Sequence, residues 1–266
     1  MSHGLLEGKK GIIFGALDER SIAWQVALKA KEEGAEFVLS NAPVAIRMGK
    51  TNELGELCGA KVISADATST EDINNLLEET MTEFDGPIDF MLHSIGMSPN
   101  LRKGKEYTAL NHDFFHKTLD ISALSLHRIL QACMEKDAIS EWGSVIGLTY
   151  IAAQRTFPGY GDMADAKALL ESIARSFGFH YGEKKKVRVN TISQSPTMTT
   201  AGSGVSGFDE FFGHADQLSP LGNATSEECA NFCVMLFSDY TRKVTMQNLF
   251  HDGGFSSVGI HPSVIK

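Results

Sequence analysis

The chain has 266 residues, of which 42% are hydrophobic and 21% charged, the balance of a folded globular protein. Its net charge of −9 argues against a general affinity for nucleic acid or anionic membrane and leaves only local basic patches to consider. No apolar run approaches the ~18 residues of a membrane span, and residues 1–10 lack the apolar core of a signal peptide.

In chain order, short apolar runs alternate with longer helical patterns. Residues 11–14, 36–40, 61–65, 88–92, 143–148, 187–192 and 246–250 read as strands buried on both faces. Residues 21–33, 51–58, 69–84, 111–136, 162–181 and 226–238 read as helices. The helix from Ser69 opens with Ser-x-x-Asp, a relative of the capping box. Repeated strand–helix–strand units need right-handed crossovers. They predict one doubly wound, Rossmann-type α/β domain over residues 1–266, with a parallel sheet of about seven strands. Two connections are long. Residues 97–111 are polar and basic, and residues 199–213 hold Gly202, Gly204, Gly207 and Gly213, which suits a lid or a merely mobile loop. Cys58, Cys133, Cys229 and Cys233 lack the partners of a zinc set, so no metal is expected. They read as buried thiols of a reducing cytoplasm.

The first strand runs into Gly15, and a helix starts near Ser21. A glycine there permits a sharp turn, and the free N–H groups of a helix start favour a phosphate. Only Gly15 stands where the Gly-x-Gly-x-x-Gly fingerprint wants glycine, and Ser21 also suits a plain N-cap. The second strand ends Ser-Asn-Ala-Pro, with no acid for a ribose 2′-hydroxyl. Arg47 lies beyond it, placed for a 2′-phosphate or for solvent. Asp66 follows the third strand, where it suits either a ligand or a helix cap. His93-Ser94-Ile95-Gly96 follows the fourth. Tyr150, Tyr160 and Lys167 follow the fifth. If the chain were helical from Tyr160 to Lys167, the two would lie on one side, roughly 10 Å apart along the axis. A nearby ammonium would lower the phenol's pKa and hold ribose hydroxyls.

Together these motifs resemble the enoyl-acyl carrier protein reductases of bacterial fatty-acid synthesis, a divergent branch of the short-chain dehydrogenase/reductases. The resemblance runs from Gly8 to about Ile260. It is carried by Gly15 with Ser21-Ile22-Ala23, by His93-Ser94-Ile95-Gly96, by Tyr150 with Tyr160, by Tyr-x6-Lys (Tyr160 and Lys167), by Val187-Arg188-Val189-Asn190, and by His251-Asp252-Gly253-Gly254-Phe255-Ser256. Ordinary short-chain reductases use Tyr-x3-Lys, and position 164 here is alanine.

The resemblance implies hydride transfer from NADH, with NADPH as the alternative, to C3 of a trans-2-enoyl thioester. Tyr160 would stabilise the enolate, Lys167 would hold the nicotinamide ribose, and Tyr150, Ser98 and Met163 would face the substrate. Gly15, Ser21 and Ile22 would serve the pyrophosphate, Ala42 the adenosine ribose, and Asp66 and Ala67 the adenine. Ser94, Ile95 and Gly96 would lie beside the cofactor, and Thr197, Met198, Thr199, Thr200 and Ala201 along its carboxamide and phosphates. Ser195 stands where the family often has glycine before the proline. The resemblance also implies a cytoplasmic homotetramer whose substrate rides on an acidic acyl carrier protein. For that partner the sequence offers Arg102, Lys103 and Lys105 near the ligand face; Lys184, Lys185 and Lys186 precede the sixth strand, away from it.

Overall fold

The structure, a computed structural model, describes residues 2–200, 202, 208–260 and 262. Seven strands form one parallel sheet: β1 (Lys10–Phe14), β2 (Glu36–Asn41), β3 (Val62–Ser64), β4 (Ile88–His93), β5 (Ile139–Thr149), β6 (Arg188–Gln194) and β7 (Asn248–His251). Their order is β3-β2-β1-β4-β5-β6-β7. The direction of winding reverses between β1 and β4, and open α/β sheets bind ligands in the crevice at the carboxyl ends beside such a reversal.

Helices cover both faces because the strands are apolar on both. Successive strand residues point to opposite sides. Ile12, Val38, Met91 and Val145 therefore share a core with α4 (Thr70–Phe84), α7 (Ser125–Glu135) and α8 (Asp162–Lys185). Ile13, Leu39, Leu92, Ile146 and Ile192 share the other with α1 (Ile22–Glu32), α3 (Thr51–Cys58) and α10 (Ser226–Phe237). All four cysteines are free and buried. Ser69 caps α4 by accepting from the Asp72 amide at 3.2 Å, while the Asp72 carboxylate reaches back to the Asp66 amide at 2.9 Å rather than to Ser69 N.

The expected strands stand, with shifted ends. Three short or unexpected helices were not legible: α2 (Pro43–Met48), α5 (Pro99–Arg102) and α9 (Phe208–Leu218). The helix expected at 111–136 is α6 (His112–Leu119), then a π turn (Asp120–Leu124), then α7. Single π turns inside α-helices recur at functional sites.

Candidate active site

At the carboxyl end of β1, Gly15 has φ of 90°, and a Cβ there would lie 2.0 Å from the Ser94 carbonyl oxygen. Only glycine lets the β1 turn meet the β4 turn this closely. The next helix, α1, has Ser21 at its N-cap position, but the Ser21 side chain makes no cap bond and the first turn holds no acid. Ser21 Oγ instead accepts from Leu17 N at 3.3 Å and donates to the Asp18 carbonyl at 2.7 Å. The amides opening α1 are thus left for an anion, which the helix dipole also favours.

The end of β2 is built from backbone. Asn41 Nδ2 donates to the Ala16 carbonyl at 3.3 Å, and Ala42 is the cap of α2, with Pro43 at the first helical position. Arg47 is exposed on α2. Asp66 accepts from Thr68 N and Thr68 Oγ1, so it does not cap α4; Ser69 does. The Ala67 carbonyl accepts from Arg128 at 3.1 Å.

His93 ends β4 fully buried, its Nε2 2.8 Å from Ser125 Oγ. Ser125 donates to the Ile121 carbonyl at 2.7 Å. With that proton spent, His93 donates from Nε2 and leaves Nδ1, which has no partner among the described residues, as a bare acceptor. Burial, then the Lys167 charge, pulls the imidazole down to about 3, so it is neutral at working pH. Past it, Gly96 faces Lys167 Nζ and Met163 Cε, each 3.9 Å from where its Cβ would be.

Tyr160 stands outside α8, not within it. The Tyr160 amide donates to the Phe157 carbonyl at 3.1 Å across Pro158-Gly159, and Gly159 has φ of 85°. Proline then a left-handed glycine is the signature of a type II turn. Gly161 follows at φ of 56°, and α8 begins at Asp162. The seven-residue step to Lys167 is therefore a turn plus a helix start, which corrects the helical estimate. Lys167 Nζ donates to the Leu148 carbonyl at 2.7 Å. Burial lowers its pKa to about 8, against the opposing charge of Glu171.

The Tyr150 and Tyr160 rings lie 5.1 Å apart at 48°. The expectation that the ammonium lowers the Tyr160 phenol is not met: burial raises both phenols, and at Tyr150 the Tyr160 and Asp252 charges add to it. Tyr160 therefore stays an O–H donor through neutral pH. Phe157 extends this wall, 5.4 Å from Tyr150, 5.6 Å from Phe211 of α9 and 6.1 Å from Phe255.

Ser98 is buried, its hydroxyl donates to Asp162 Oδ1 at 2.6 Å, and it accepts from the Leu101 amide at 2.9 Å. Its side chain is thus engaged as a brace within the protein. Asp162 also accepts from Asn100 at 2.8 Å and Thr118 at 2.9 Å. Met163, next on α8, is buried with Leu101 and Ala166 against Tyr160.

After β6, Gln194 meets His251 Nδ1 at 2.8 Å, and Ser195 Oγ accepts from the Ala224 amide at 2.8 Å. The serine that replaces glycine here thus ties the strip to the chain entering α10. Thr197 folds back on the Ser195 carbonyl at 3.0 Å, Met198 is exposed, Thr199 Oγ1 accepts from Gly202 N at 2.9 Å, and Thr200 bonds Asp18 beside the α1 terminus. The structure thus brings the strip to the phosphate turn. Ala201 and residues 203–207 lie outside the described residues, and α9 occupies the end of the segment expected to be a glycine-rich loop.

Sequence reasoning missed three polar residues. Asp162 was seen only as a helix start. Glu171 is 4% exposed and accepts from Thr149 at 3.0 Å, Gln154 at 3.0 Å and Asn248 at 3.2 Å. Ser125 is the partner of His93. The one available signal for Glu171 was an acid four residues past Lys167, on the same helix face.

A family model described as Enoyl-(Acyl carrier protein) reductase matches residues 15–256. The NADH-type enoyl-[acyl-carrier-protein] reductase FabI of Neisseria meningitidis is 33% identical over 257 residues, 95% of this chain and 97% of the relative. That of Rickettsia prowazekii is 32% identical over 262 residues, 97% and 98% of the two chains. A crystal structure of a FabI–NADH complex from Alistipes finegoldii is 61% identical, with a TM-score of 0.98 over 99% of this chain and 93% of that one.

Proposed function

The chain belongs to the enoyl-(acyl carrier protein) reductase family, and from that premise we propose how its site performs the reaction. It reduces the double bond of a trans-2-enoyl group carried as a thioester, the reductive step that ends a round of fatty-acid elongation. NADH is the cofactor read here: the Alistipes structure holds NADH, and the Neisseria and Rickettsia relatives are NADH enzymes. The residues fit a dinucleotide, since α1 presents uncapped amides beside Gly15 at the sheet's reversal point.

When bound, the reduced nicotinamide supplies hydride to C3. The pyrophosphate would be held by Gly15, Ser21 and Ile22, the adenosine by Ala42, Asp66 and Ala67, and the nicotinamide end by Ser94, Ile95, Gly96 and the 197–201 strip. Lys167, anchored on the Leu148 carbonyl, would offer its remaining N–H groups to the nicotinamide ribose. Tyr160 donates its O–H to the thioester oxygen. Hydride addition makes that oxygen an enolate, so a donor already aimed at it lowers the barrier without rearranging. Burial keeps the phenol protonated for this role. The enolate then takes a proton from solvent at C2. Tyr150, Met163 and Phe157 wall the acyl group.

The observation that carries this reading is that Tyr160, fixed between Gly159 and Gly161, packs against the cluster holding Met163, whose Cε faces Gly96 together with Lys167 Nζ. Crotonyl and acetoacetyl thioesters, each with NADH and NADPH, test it by loss of absorbance at the reduced nicotinamide. Turnover of crotonyl with NADH is expected; turnover of acetoacetyl alone would assign a ketone reductase instead. The protein is further read as a cytoplasmic homotetramer. Its buried free thiols suit a reducing compartment. Exposed Phe179 on α8 and Phe250 on the edge strand β7 suit burial between copies. Light scattering at assay concentration decides the assembly.

A further inference from the structure

The wall around Tyr160 is flanked by two segments of opposite charge. One is α9, whose Phe211 stacks on Phe157 and whose sequence carries Asp209, Glu210 and Asp216 without a lysine or arginine. The other is the loop from Asn100 to Asn111. Asn100 Nδ2 donates to the Asn111 carbonyl, and the Asn111 amide donates to Asn100 Oδ1, both at 3.0 Å. These reciprocal bonds close the loop at its base in the manner of an Ω-loop, a form often used for function. Buried Asp162 holds the same base through Ser98 and Asn100. Leu101 at the base packs with Met163, with Tyr160 against them. The loop is thus fixed to the wall of the substrate site.

What it presents outward is positive. Arg102, Lys103 and Lys105 are all exposed, and none has an ion-pair partner among the described residues. Lys103 Nζ sits 4.4 Å from the Phe114 ring centroid, a contact that restrains it without neutralising it. A rim of unpaired cations on a chain of net charge −9 adds nothing to the core. Its effect is outward: it gives an anionic partner one favourable approach to a molecule that otherwise repels it.

We propose that the 100–111 loop is the docking surface for an acidic carrier protein, which meets Arg102, Lys103 and Lys105 while its acyl arm passes Leu101 and Met163 to reach Tyr160. This rests on the reading of the substrate as a carrier-borne enoyl thioester. The acidic α9 rim repels the same partner, so the two rims fix its orientation. The other basic cluster, Lys184 to Lys186, closes α8 at the amino end of β6, and Lys185 is already committed to Asp137 at 2.6 Å and to the Ile139 carbonyl at 2.8 Å.

The test compares wild type with R102E/K103E/K105E on three substrates with one crotonyl group: bound to carrier protein, on 4′-phosphopantetheine, and on uncharged N-acetylcysteamine. The milder R102Q/K103Q/K105Q variant accompanies it, and thermal melting confirms that both are folded. At low salt, charge reversal is expected to lower kcat/KM on the carrier-bound substrate by about ten- to a hundredfold, with the glutamine variant between. The loss shrinks as salt shortens the Debye length from ~30 Å at 0.01 M to ~8 Å at 0.15 M. Neither small thioester should change. Equal loss on the phosphopantetheine substrate would overturn the proposal by showing that the cluster reads the arm's phosphate. Equal loss on all three would make it part of the pocket, and no loss on any would place docking elsewhere. Failure of the wild type to reduce any of the three would instead sink the enoyl reductase reading itself.

Discussion

Asp162 and Lys167 sit within two turns of the same helix, both drawn in from water, and their surroundings differ in kind. Asp162 is answered completely: Ser98 and Asn100 donate to it from the start of α5, and Thr118 from α6. Lys167 has one acceptor, the Leu148 carbonyl, and burial depresses its pKa to about 8. A satisfied buried polar group holds structure together. A half-buried cation with donors left over is placed to take a further acceptor. The start of α8 thus braces the wall beside Tyr160 with its first residue and, in the proposed mechanism, meets the cofactor from its second turn.

The sharpest break of this contrast is Asp162→Ala. It strands two buried donors, the Ser98 hydroxyl and one Asn100 N–H, while Thr118 keeps the Phe114 carbonyl as an acceptor; at about 1–3 kcal/mol for each unpaired group, a loss on the order of 2 kcal/mol or more is expected in urea unfolding. An unchanged midpoint would mean that the cluster does not brace the wall. Tyr160→Phe should do the reverse. It removes one donor aimed at developing charge, so turnover should fall about a hundred- to a thousandfold, with stability and NADH affinity held. Normal turnover in the folded variant would remove Tyr160 from the mechanism.

Much of this was legible in the chain. The strands could be read because buried parallel strands are nearly continuous apolar runs, and Gly15 because a sharp turn after β1 has few other solutions. Tyr160 and Lys167 were read from the family resemblance that their spacing helps to carry, but their geometry was not. Pro158-Gly159 and Gly161 put Tyr160 on a turn, and the phenol is governed by burial, which no spacing reports. The bracing role of Ser98 was not legible because its partner lies 64 residues away. Polar residues satisfied by such distant partners leave no periodic trace, and Glu171 escaped for the same reason. Short helices such as α2 and α5 escaped because one or two turns carry too little periodicity to stand out.

Lys167→Ala tests the open half of the contrast. A hydrogen bond to a charged group is worth about 1.5–3 kcal/mol, so NADH affinity should weaken by roughly ten- to a hundredfold in a fluorescence titration near pH 7. Wild-type affinity in that variant would contradict the assignment to the ribose. In wild type the affinity should also fall as pH rises through about 8, because the ammonium that donates is lost there. Lys167→Arg, whose charge persists, should lack that fall.

The smallest effect expected is that of Glu171→Gln. Glu171 lies one turn beyond Lys167 on α8 and accepts from Thr149, Gln154 and Asn248. Its charge favours the Lys167 ammonium, opposing the burial that disfavours it. The other titratable groups near Lys167 add no charge at working pH. His93 is held neutral by burial, and both phenols are pushed up by it. Glutamine keeps the size and one acceptor but removes the charge, so the free enzyme's Lys167 should lose its proton at a lower pH than in wild type. NADH affinity should then match wild type near pH 6, where the ammonium is complete in both. It should begin its alkaline fall earlier, moving the limb toward acid. A purely structural role predicts a different pattern, with affinity weakened equally at every pH and the limb in place. Titrations of both proteins from pH 6 to pH 10 separate the two, and an unmoved limb would leave Glu171 as a brace for the β5–α8 connection and nothing more.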